Sequence, residues 1–223
     1  MRADEVNSRK RIAVLISGRG SNLAAMLRND CGGDVVVVGS NKVDAKGLEL
    51  AREAGIETFA LNHNAFDSRE AFDAALLETL NSYRIDLLVL AGFMRILTPG
   101  FVDAFAGRMV NIHPSLLPSY PGLDTHEKAL EDGVKLHGCT VHFVTAQLDH
   151  GPIIAQAAVQ VDDDDTPESL AAKVLVQEHQ ILPYAVRLFC DGRLRMDGAR
   201  VRTLAKASES NPQLVTNVIP ATH

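Results

Sequence analysis

Three polar side chains able to do acyl-transfer chemistry stand in two short segments. One segment is Asn111-Ile112-His113-Pro114, at the end of an apolar run, and the other is Leu148-Asp149-His150-Gly151-Pro152. Successive strand side chains alternate between faces, so Asn111 and His113 share a face, about 6–7 Å apart. Pro114 has no N–H for a sheet ladder and ends the strand, which predicts that these side chains face a cleft mouth.

An amide, an imidazole and a carboxylate together suit acyl transfer. Asn111 can polarise a carbonyl, His113 can handle charge or a proton, and a carboxylate from Asp149 can orient the imidazole and favour its protonated form. Asp149 is distant from His113 along the chain, so its approach to the ring is an expectation about the fold. The alternative for a histidine at a strand end is an ordinary hydrogen-bonded polar residue.

Length and composition predict one large α/β domain in a cytoplasmic protein. The chain has 223 residues, of which 46% are hydrophobic and 22% charged, and a net charge of −6. Such a charge gives no support for general binding to nucleic acid or to an anionic membrane. The three cysteines are far apart and the N-terminus has no apolar leader, so neither a disulfide framework nor secretion is expected. No apolar run approaches the ~18–20 residues that span a bilayer.

Apolar strands alternate with helical patterns in the first half of the chain. This β-α-β-α-β order predicts a doubly wound, mostly parallel, Rossmann-like sheet. The predicted strands are 11–16, 35–38, 57–61, 86–91 and 108–113, and the predicted helices are 22–28, 45–53 and one capped at 66–68 that ends at Tyr83.

The second half predicts an antiparallel extension and a long helix. We expect helix 125–130, strands 137–144 and 153–161, and a helix that starts at Thr166-Pro167, bends at Pro183 and runs towards Cys190. Asp191-Gly192 predicts a turn before a short final strand. One domain would then cover 1–205, with a phosphate-binding half over 11–105 and a catalytic half over 106–205. The tail 206–223 is rich in Ser, Asn and Thr, which is typical of disorder.

A glycine-containing loop, Ser17-Gly18-Arg19-Gly20-Ser21-Asn22, joins the first predicted strand to the first helix. Glycines let a ligand approach the backbone, and amides at a helix N-terminus hold phosphate. The dinucleotide fingerprint fails because Leu23 occupies its third glycine position, and no Gly-Lys-Ser/Thr follows. A mononucleotide or sugar phosphate is favoured over a purely structural turn.

The segment Phe93-Met94-Arg95-Ile96-Leu97 follows a buried strand through Gly92. It therefore lies at the carboxyl end of a sheet strand, where open α/β folds bind ligands. Apolar side chains around one arginine suit a flat, partly anionic ligand. Ordinary loop packing explains these residues equally well when they are taken alone.

No metal is expected from the histidines or the acidic run. His137 and His142 are five apart on a predicted strand and face opposite sides, and no pair with His126 or His150 has helical metal-ligand spacing. The run 162–165 lacks EF-hand spacing, and the dipole of the following helix favours acidic residues there.

Five separated segments, taken in order, are similar to those of the phosphoribosylglycinamide formyltransferases, folate-dependent enzymes of purine synthesis. The resemblance extends from about Arg11 to Leu194. The segments are Ile16-Ser17-Gly18-Arg19-Gly20-Ser21-Asn22-Leu23, Ala65-Phe66-Asp67-Ser68-Arg69, Ala91-Gly92-Phe93-Met94-Arg95-Ile96-Leu97, Asn111-Ile112-His113-Pro114-Ser115-Leu116-Leu117-Pro118 and Leu148-Asp149-His150-Gly151-Pro152.

The resemblance implies transfer of a formyl group from 10-formyltetrahydrofolate to the amine of 5-phosphoribosylglycinamide, without a metal and by a monomer or homodimer. Asn111, His113 and Asp149 match the catalytic residues. Matches to the remaining ligand contacts are Gly20, Ser21, Asn22 and Glu178 for the ribonucleotide, and Arg69, Met94, Arg95, Ile96, Leu97 and Asn111 for the folate.

Two residues depart from the family pattern, and three other functions are alternatives. His150 stands where a smaller residue is expected, and Asp124 replaces a histidine of some members, so both could tune the pH profile. A formyltetrahydrofolate hydrolase would carry an N-terminal regulatory domain, whereas about ten residues precede the first strand. A methionyl-tRNA formyltransferase would need a further C-terminal domain. A catalytically silent nucleotide-binding protein would need the phosphate loop but not the three polar residues together.

Overall fold

The computed structural model describes residues 9–205, which build one nine-stranded sheet with helices on both faces. The predicted tail 206–223 lies outside the described residues. The strands are β1 (Lys10–Ile16), β2 (Gly33–Ser40), β3 (Glu57–Ala60), β4 (Leu87–Leu90), β5 (Met109–His113), β6 (Leu136–Phe143), β7 (Ile153–Gln160), β8 (Leu194–Asp197) and β9 (Arg200–Thr203). The helices are α1 (Ser21–Arg28), α2 (Lys46–Glu53), α3 (Arg69–Ser82), α4 (Pro99–Ala104), α5 (Thr125–Glu131) and α6 (Pro167–Cys190).

The sheet order is β3-β2-β1-β4-β5-β6-β7-β9-β8. The pairs among β1 to β5 are parallel, whereas β6 pairs antiparallel with both β5 and β7. The predicted mostly parallel sheet with an antiparallel extension is therefore confirmed. The single final strand was wrong: β8 and β9 form a hairpin, and β9 lies parallel to β7 at Ile153 and Arg200. Gly198, with φ of 60°, supplies the turn between them.

Burial on both faces explains the continuous apolar strands of the parallel half. Alternate residues of β1 belong to different clusters: Ile12, Val14 and Ile16 pack on the side of α1, α2 and α6, whereas Ala13 and Leu15 pack on the side of α3 and α4. This arrangement is the usual one for a strand in a doubly wound sheet. No helix within residues 9–205 is both long and apolar enough to cross a membrane.

Capping residues account for the helix starts. Ser68 accepts from the N–H of Ala71 and Thr166 accepts from that of Ser169, so both predicted N-caps are confirmed. The long helix α6 is a single helix of 24 residues that contains Pro183. Sequence reasoning missed the short α4, although Thr98 caps it and Pro99 follows, as at α6.

A pair of neutral imidazoles holds α5 against β6. His126 Nδ1 lies 3.2 Å from His137 Nε2, and the two rings meet edge to face. Burial lowers the pKa of His137 to about 4, with a further contribution from His126. Burial also lowers the pKa of His126, as does the nearby His113. Both rings therefore fold in their uncharged form.

These two rings make the fold sensitive to acid. An unfolded histidine has a pKa near 6.5 and binds a proton that the folded pair resists, so the unfolded state gains protons as the pH falls from about 6.5 towards 4. We expect the free energy of unfolding to fall by roughly 1–3 kcal/mol over this range on account of His137 alone. Urea titrations at several pH values between 7 and 4.5 measure this dependence.

The matched variants are His137→Gln and His150→Gln. The first should flatten the pH dependence by up to about one proton, since it removes the buried titrating ring. The second changes an exposed histidine outside the His126–His137 contact and is the control. Equal pH dependence in wild type and His137→Gln would exclude the imidazole pair as its source.

Candidate active site

The end of β5 and the loop between β6 and β7 bring His113 and Asp149 together. The Nδ1 atom of His113 lies 3.5 Å from Asp149 Oδ2, and both side chains are almost fully buried. β6 ends beside the start of β5, where Phe143 pairs with Val110, so the loop between β6 and β7 must fold back along β5 for Asp149 to reach His113, 36 positions upstream. The spatial approach expected from the sequence is present.

Both ring nitrogens of His113 face acceptors. The Nε2 atom lies 2.9 Å from the carbonyl oxygen of Tyr120, and Nδ1 faces the Asp149 carboxylate. A carbonyl oxygen and an ionised carboxylate only accept hydrogen bonds, so only a ring protonated at both nitrogens donates to both. Each ring nitrogen of His113 therefore has an acceptor beside it.

The expected position of His113 at an open cleft mouth is wrong. Its residue is only 5% exposed, because the segment after Pro114 turns back over the strand end. Tyr120 adopts φ of 54° within this segment, and the Gly122 N–H donates to Asp149 Oδ2 at 2.8 Å. The same segment thus binds both members of the pair.

Asn111 pairs across the sheet with a residue that sequence reasoning did not place in the site. Its Nδ2 lies 3.2 Å from Nε2 of His142, its direct neighbour on β6. His142 Nδ1 lies 2.9 Å from the Phe143 carbonyl, so Nδ1 carries the proton and Nε2 accepts from the amide. Burial lowers the pKa of His142, in agreement with a neutral ring.

The His142 ring also lies near the carboxylate, with Nε2 3.9 Å from Asp149 Oδ1, a distance at which no hydrogen bond forms. The sequence carried one signal for it: in an antiparallel pair, some residue of the predicted strand 137–144 must face Asn111. That residue could be named only once the register was known. Within residues 9–205, no group of three or more possible ligands is arranged to hold a metal ion.

The glycine-containing loop leaves the first amides of α1 open to a ligand. Gly20 is the N-cap, with φ of 76°, and supplies no side-chain cap. The first N–H groups of a helix have no intrahelical acceptor, and together with the helix dipole they form an anion site. These are the amides of Ser21 and Asn22, two of the residues expected to bind phosphate.

Close backbone contact with α2 holds this loop in place. The Gly47 N–H donates to Gly18 O at 3.0 Å. A Cβ atom on Gly20 would lie 2.7 Å from Gly47 Cα, closer than real Cβ contacts come. Glycine is therefore required at position 20 for the approach of the backbones as well as for its positive φ.

Glu178 on α6 reaches the same loop. Its Oε2 accepts from Asn22 Nδ2 at 2.7 Å, and both residues are buried. Burial raises the pKa of Glu178, while the hydrogen bond from Asn22 works against that rise. Asn22 Oδ1 has no partner among the described residues, which leaves an acceptor beside the loop.

The segment 93–97 forms a loop after β4 in which two apolar side chains turn outward and two, Phe93 and Leu97, pack against the core. Met94 is 68% and Ile96 is 59% exposed, whereas Phe93 is buried. The Arg95 guanidinium lies over the Phe72 ring of α3, with Cζ 5.7 Å from the ring centroid. This loop and the glycine-containing loop follow the neighbouring strands β4 and β1, so they border the same edge of the sheet.

The other residues that the sequence analysis singled out, Arg69, His150 and Asp124, lie outside the group formed by Asn111, His113, His142 and Asp149. Arg69 is the first residue of α3 and its Nε lies 4.0 Å from Glu70 Oε1. Its expected contact with folate stays a prediction. His150 is exposed and, with Asp149, lines a groove of about 740 Å³. Asp124 is exposed, with φ of 60°, at the start of α5.

Comparison with known proteins connects this geometry to one family. The model of the family described as "Formyl transferase" matches residues 10–186. Phosphoribosylglycinamide formyltransferase of Escherichia coli strain K12 is 55% identical over 83% of this chain and 89% of its own length.

Solved structures show the same likeness. Glycinamide ribonucleotide transformylase 1 from Symbiobacterium toebii is 51% identical, with a TM-score of 0.86 over 90% of this chain and 96% of that one. A formyltetrahydrofolate deformylase from Pseudomonas syringae pv. tomato is 27% identical, with a TM-score of 0.83 over 89% of this chain and 67% of that one. On the extent of the family match and of these identities, the chain belongs to the formyl transferase family.

Proposed function

We propose that the protein transfers the formyl group of 10-formyltetrahydrofolate to the amine of 5-phosphoribosylglycinamide, yielding the formylated ribonucleotide and tetrahydrofolate. The observation that carries the proposal is the position of the His113–Asp149 pair and Asn111. They lie at the end of β5, on the sheet edge bordered by the helix N-terminus and by the apolar loop 93–97. The ribonucleotide brings a phosphate, which suits the N-terminus of α1. The folate brings a flat ring, which suits the apolar loop 93–97.

Each ligand has a defined set of residues. The amides of Gly20, Ser21 and Asn22 bind the phosphate of the ribonucleotide, and Glu178 binds nearer its ribose. The folate ring lies against the loop that contains Met94, Arg95, Ile96 and Leu97, and Arg69 meets its anionic end. The amine and the formyl carbon then meet beside Asn111.

The reaction needs no covalent enzyme intermediate, because the substrate amine is the nucleophile. Its nitrogen attacks the formyl carbon, and the carbonyl oxygen gains negative charge. The Asn111 amide has two N–H groups; one serves His142, and the other can donate to this oxygen. The His113 cation adds positive charge beside it.

Proton transfer completes the exchange. As the intermediate collapses, the bond from the formyl carbon to the folate nitrogen breaks, and that nitrogen takes a proton. The attacking amine gives up a proton in the same step, so the reaction needs no net proton. His113 and Asp149 relay this proton between the two nitrogens. To donate to the substrate, the Nε2–H of His113 gives up its hydrogen bond to the Tyr120 carbonyl.

The first test uses purified protein with each substrate alone and with both together. We expect tetrahydrofolate only when 10-formyltetrahydrofolate and the ribonucleotide are both present, measured by the change in folate absorbance. Folate turnover without the amine would instead indicate a formyltetrahydrofolate hydrolase. Binding of both ligands without turnover would indicate a silent binding protein.

A second prediction concerns Asp149→Asn. The amide can still accept from Gly122 but brings no charge to His113, so kcat should fall by ~10²–10³-fold, or about 3–4 kcal/mol. The pH–rate profile should change as well, because the imidazolium loses its counter-charge. Asp163→Asn, which neutralises an exposed carboxylate paired with Lys135, is the control. An unchanged rate and profile in Asp149→Asn would remove the pair from the mechanism.

A third prediction concerns Gly47→Ala. The new methyl group would meet the Ile16 side chain and lie 3.0 Å from Gly20 Cα, which displaces the phosphate-binding loop. We expect the KM for the ribonucleotide to rise about 10-fold, equivalent to about 1.4 kcal/mol, with little change in the KM for folate. Gly100→Ala, where a Cβ meets nothing within 4 Å, should leave both values unchanged. Equal KM increases for both substrates would contradict a local displacement.

A further inference from the structure

Ser17 lies where the two ligand loops meet. It follows β1 directly and is only 6% exposed. Its backbone N–H donates to the Gly92 carbonyl at 3.1 Å, which connects the end of β1 to the turn after β4. The same residue therefore begins the phosphate-binding loop and touches the base of the loop 93–97.

The Ser17 hydroxyl adds a second link between these loops. Its oxygen accepts from the Met94 N–H at 2.8 Å, and its proton goes to Asn41 Oδ1 at 2.6 Å. A hydroxyl that accepts and donates at once forms a directional chain in which each hydrogen bond polarises the next. These hydrogen bonds join the ends of β4, β1 and β2, which are three neighbouring strands.

The environment makes this hydroxyl hard to replace. Asn41 is 2% exposed, so loss of the Ser17 hydroxyl leaves an amide oxygen buried with one donor fewer. The backbone oxygen of Asn41 lies 3.0 Å from His63 Nδ1, which holds Asn41 from the far side. The Met94 N–H would in turn lose its acceptor.

We infer that Ser17 is a positioning residue that couples the two substrate sites. This inference rests on the proposed function, since it assigns a ribonucleotide to one loop and folate to the other. A phosphate that orders the amides after Gly20 also fixes the position of Ser17. Through its hydroxyl, Ser17 then fixes the backbone of Met94. The binding of either substrate then favours the geometry that the other requires.

Coupling of this kind is measured as an affinity ratio. Tetrahydrofolate has no formyl group, so it forms a complex with 5-phosphoribosylglycinamide that does not react. Calorimetric titration gives the Kd of the ribonucleotide with and without saturating tetrahydrofolate. We expect at least a fivefold tightening in the wild type, at the lower end of the ~5–150-fold range typical of linked sites, and the reciprocal titration must give the same factor.

Ser17→Ala should bring this ratio to within about twofold of one while each ligand still binds alone. Asn41→Ala removes the hydrogen bond that the Ser17 hydroxyl donates, and this second variant should also lower the affinity ratio. Ser40→Ala is the matched control: Ser40 is equally buried at a strand end, but its hydroxyl accepts from Lys42 N–H and does not contact Met94. Its ratio should equal that of the wild type.

Amide hydrogen exchange at Met94 provides an independent measurement. Exchange of this N–H should be faster in Ser17→Ala, and the ribonucleotide alone should slow it in the wild type but not in the variant. A wild-type ratio of one, a Ser17→Ala ratio equal to that of the wild type, or unchanged Met94 exchange would each overturn the inference. If neither ligand binds the wild type, the proposed function itself fails, and that result is distinct from uncoupled binding.

Discussion

The antiparallel register between β5 and β6 sets Asn111 opposite His142 and His113 opposite Thr140. The turn that follows β6 then carries Asp149 to the end of β5, where it meets His113. A shift of one residue would turn every side chain of β6 to the other face, so that Cys139 and Val141 would leave the core. Burial of those apolar side chains against α6 thus determines where the polar groups stand.

Four histidines near this register show how surroundings decide the use of one side chain. His113 lies between a carbonyl and a carboxylate, so both of its ring nitrogens face acceptors. His142 gives its proton to a backbone carbonyl and accepts from an amide. His126 and His137 meet each other in a buried contact and stay neutral.

Backbone contacts between glycines hold the glycine-containing loop before α1 in place. The N-cap of α1 has no capping side chain, and the loop is held by backbone contact with α2. Its first amides thus keep their hydrogen-bonding capacity for a ligand. Ser17 extends this rigid arrangement to the neighbouring loop, because its hydroxyl accepts from the N–H of Met94, 77 positions along the chain.

Local sequence patterns were enough to predict the alternation of strands and helices, the helix caps at Ser68 and Thr166, and the polar residues at the end of β5. These features depend on local periodicity, capping and strand-end chemistry, which neighbouring residues specify. Four other features became visible only in the folded chain: the contact of Asp149 with His113, the burial of His113 beside Tyr120, the hydrogen bond between Asn111 and His142, and the hairpin beside β7. Each depends on a register or a chain reversal set by the packing of distant apolar residues, so no local pattern could specify it.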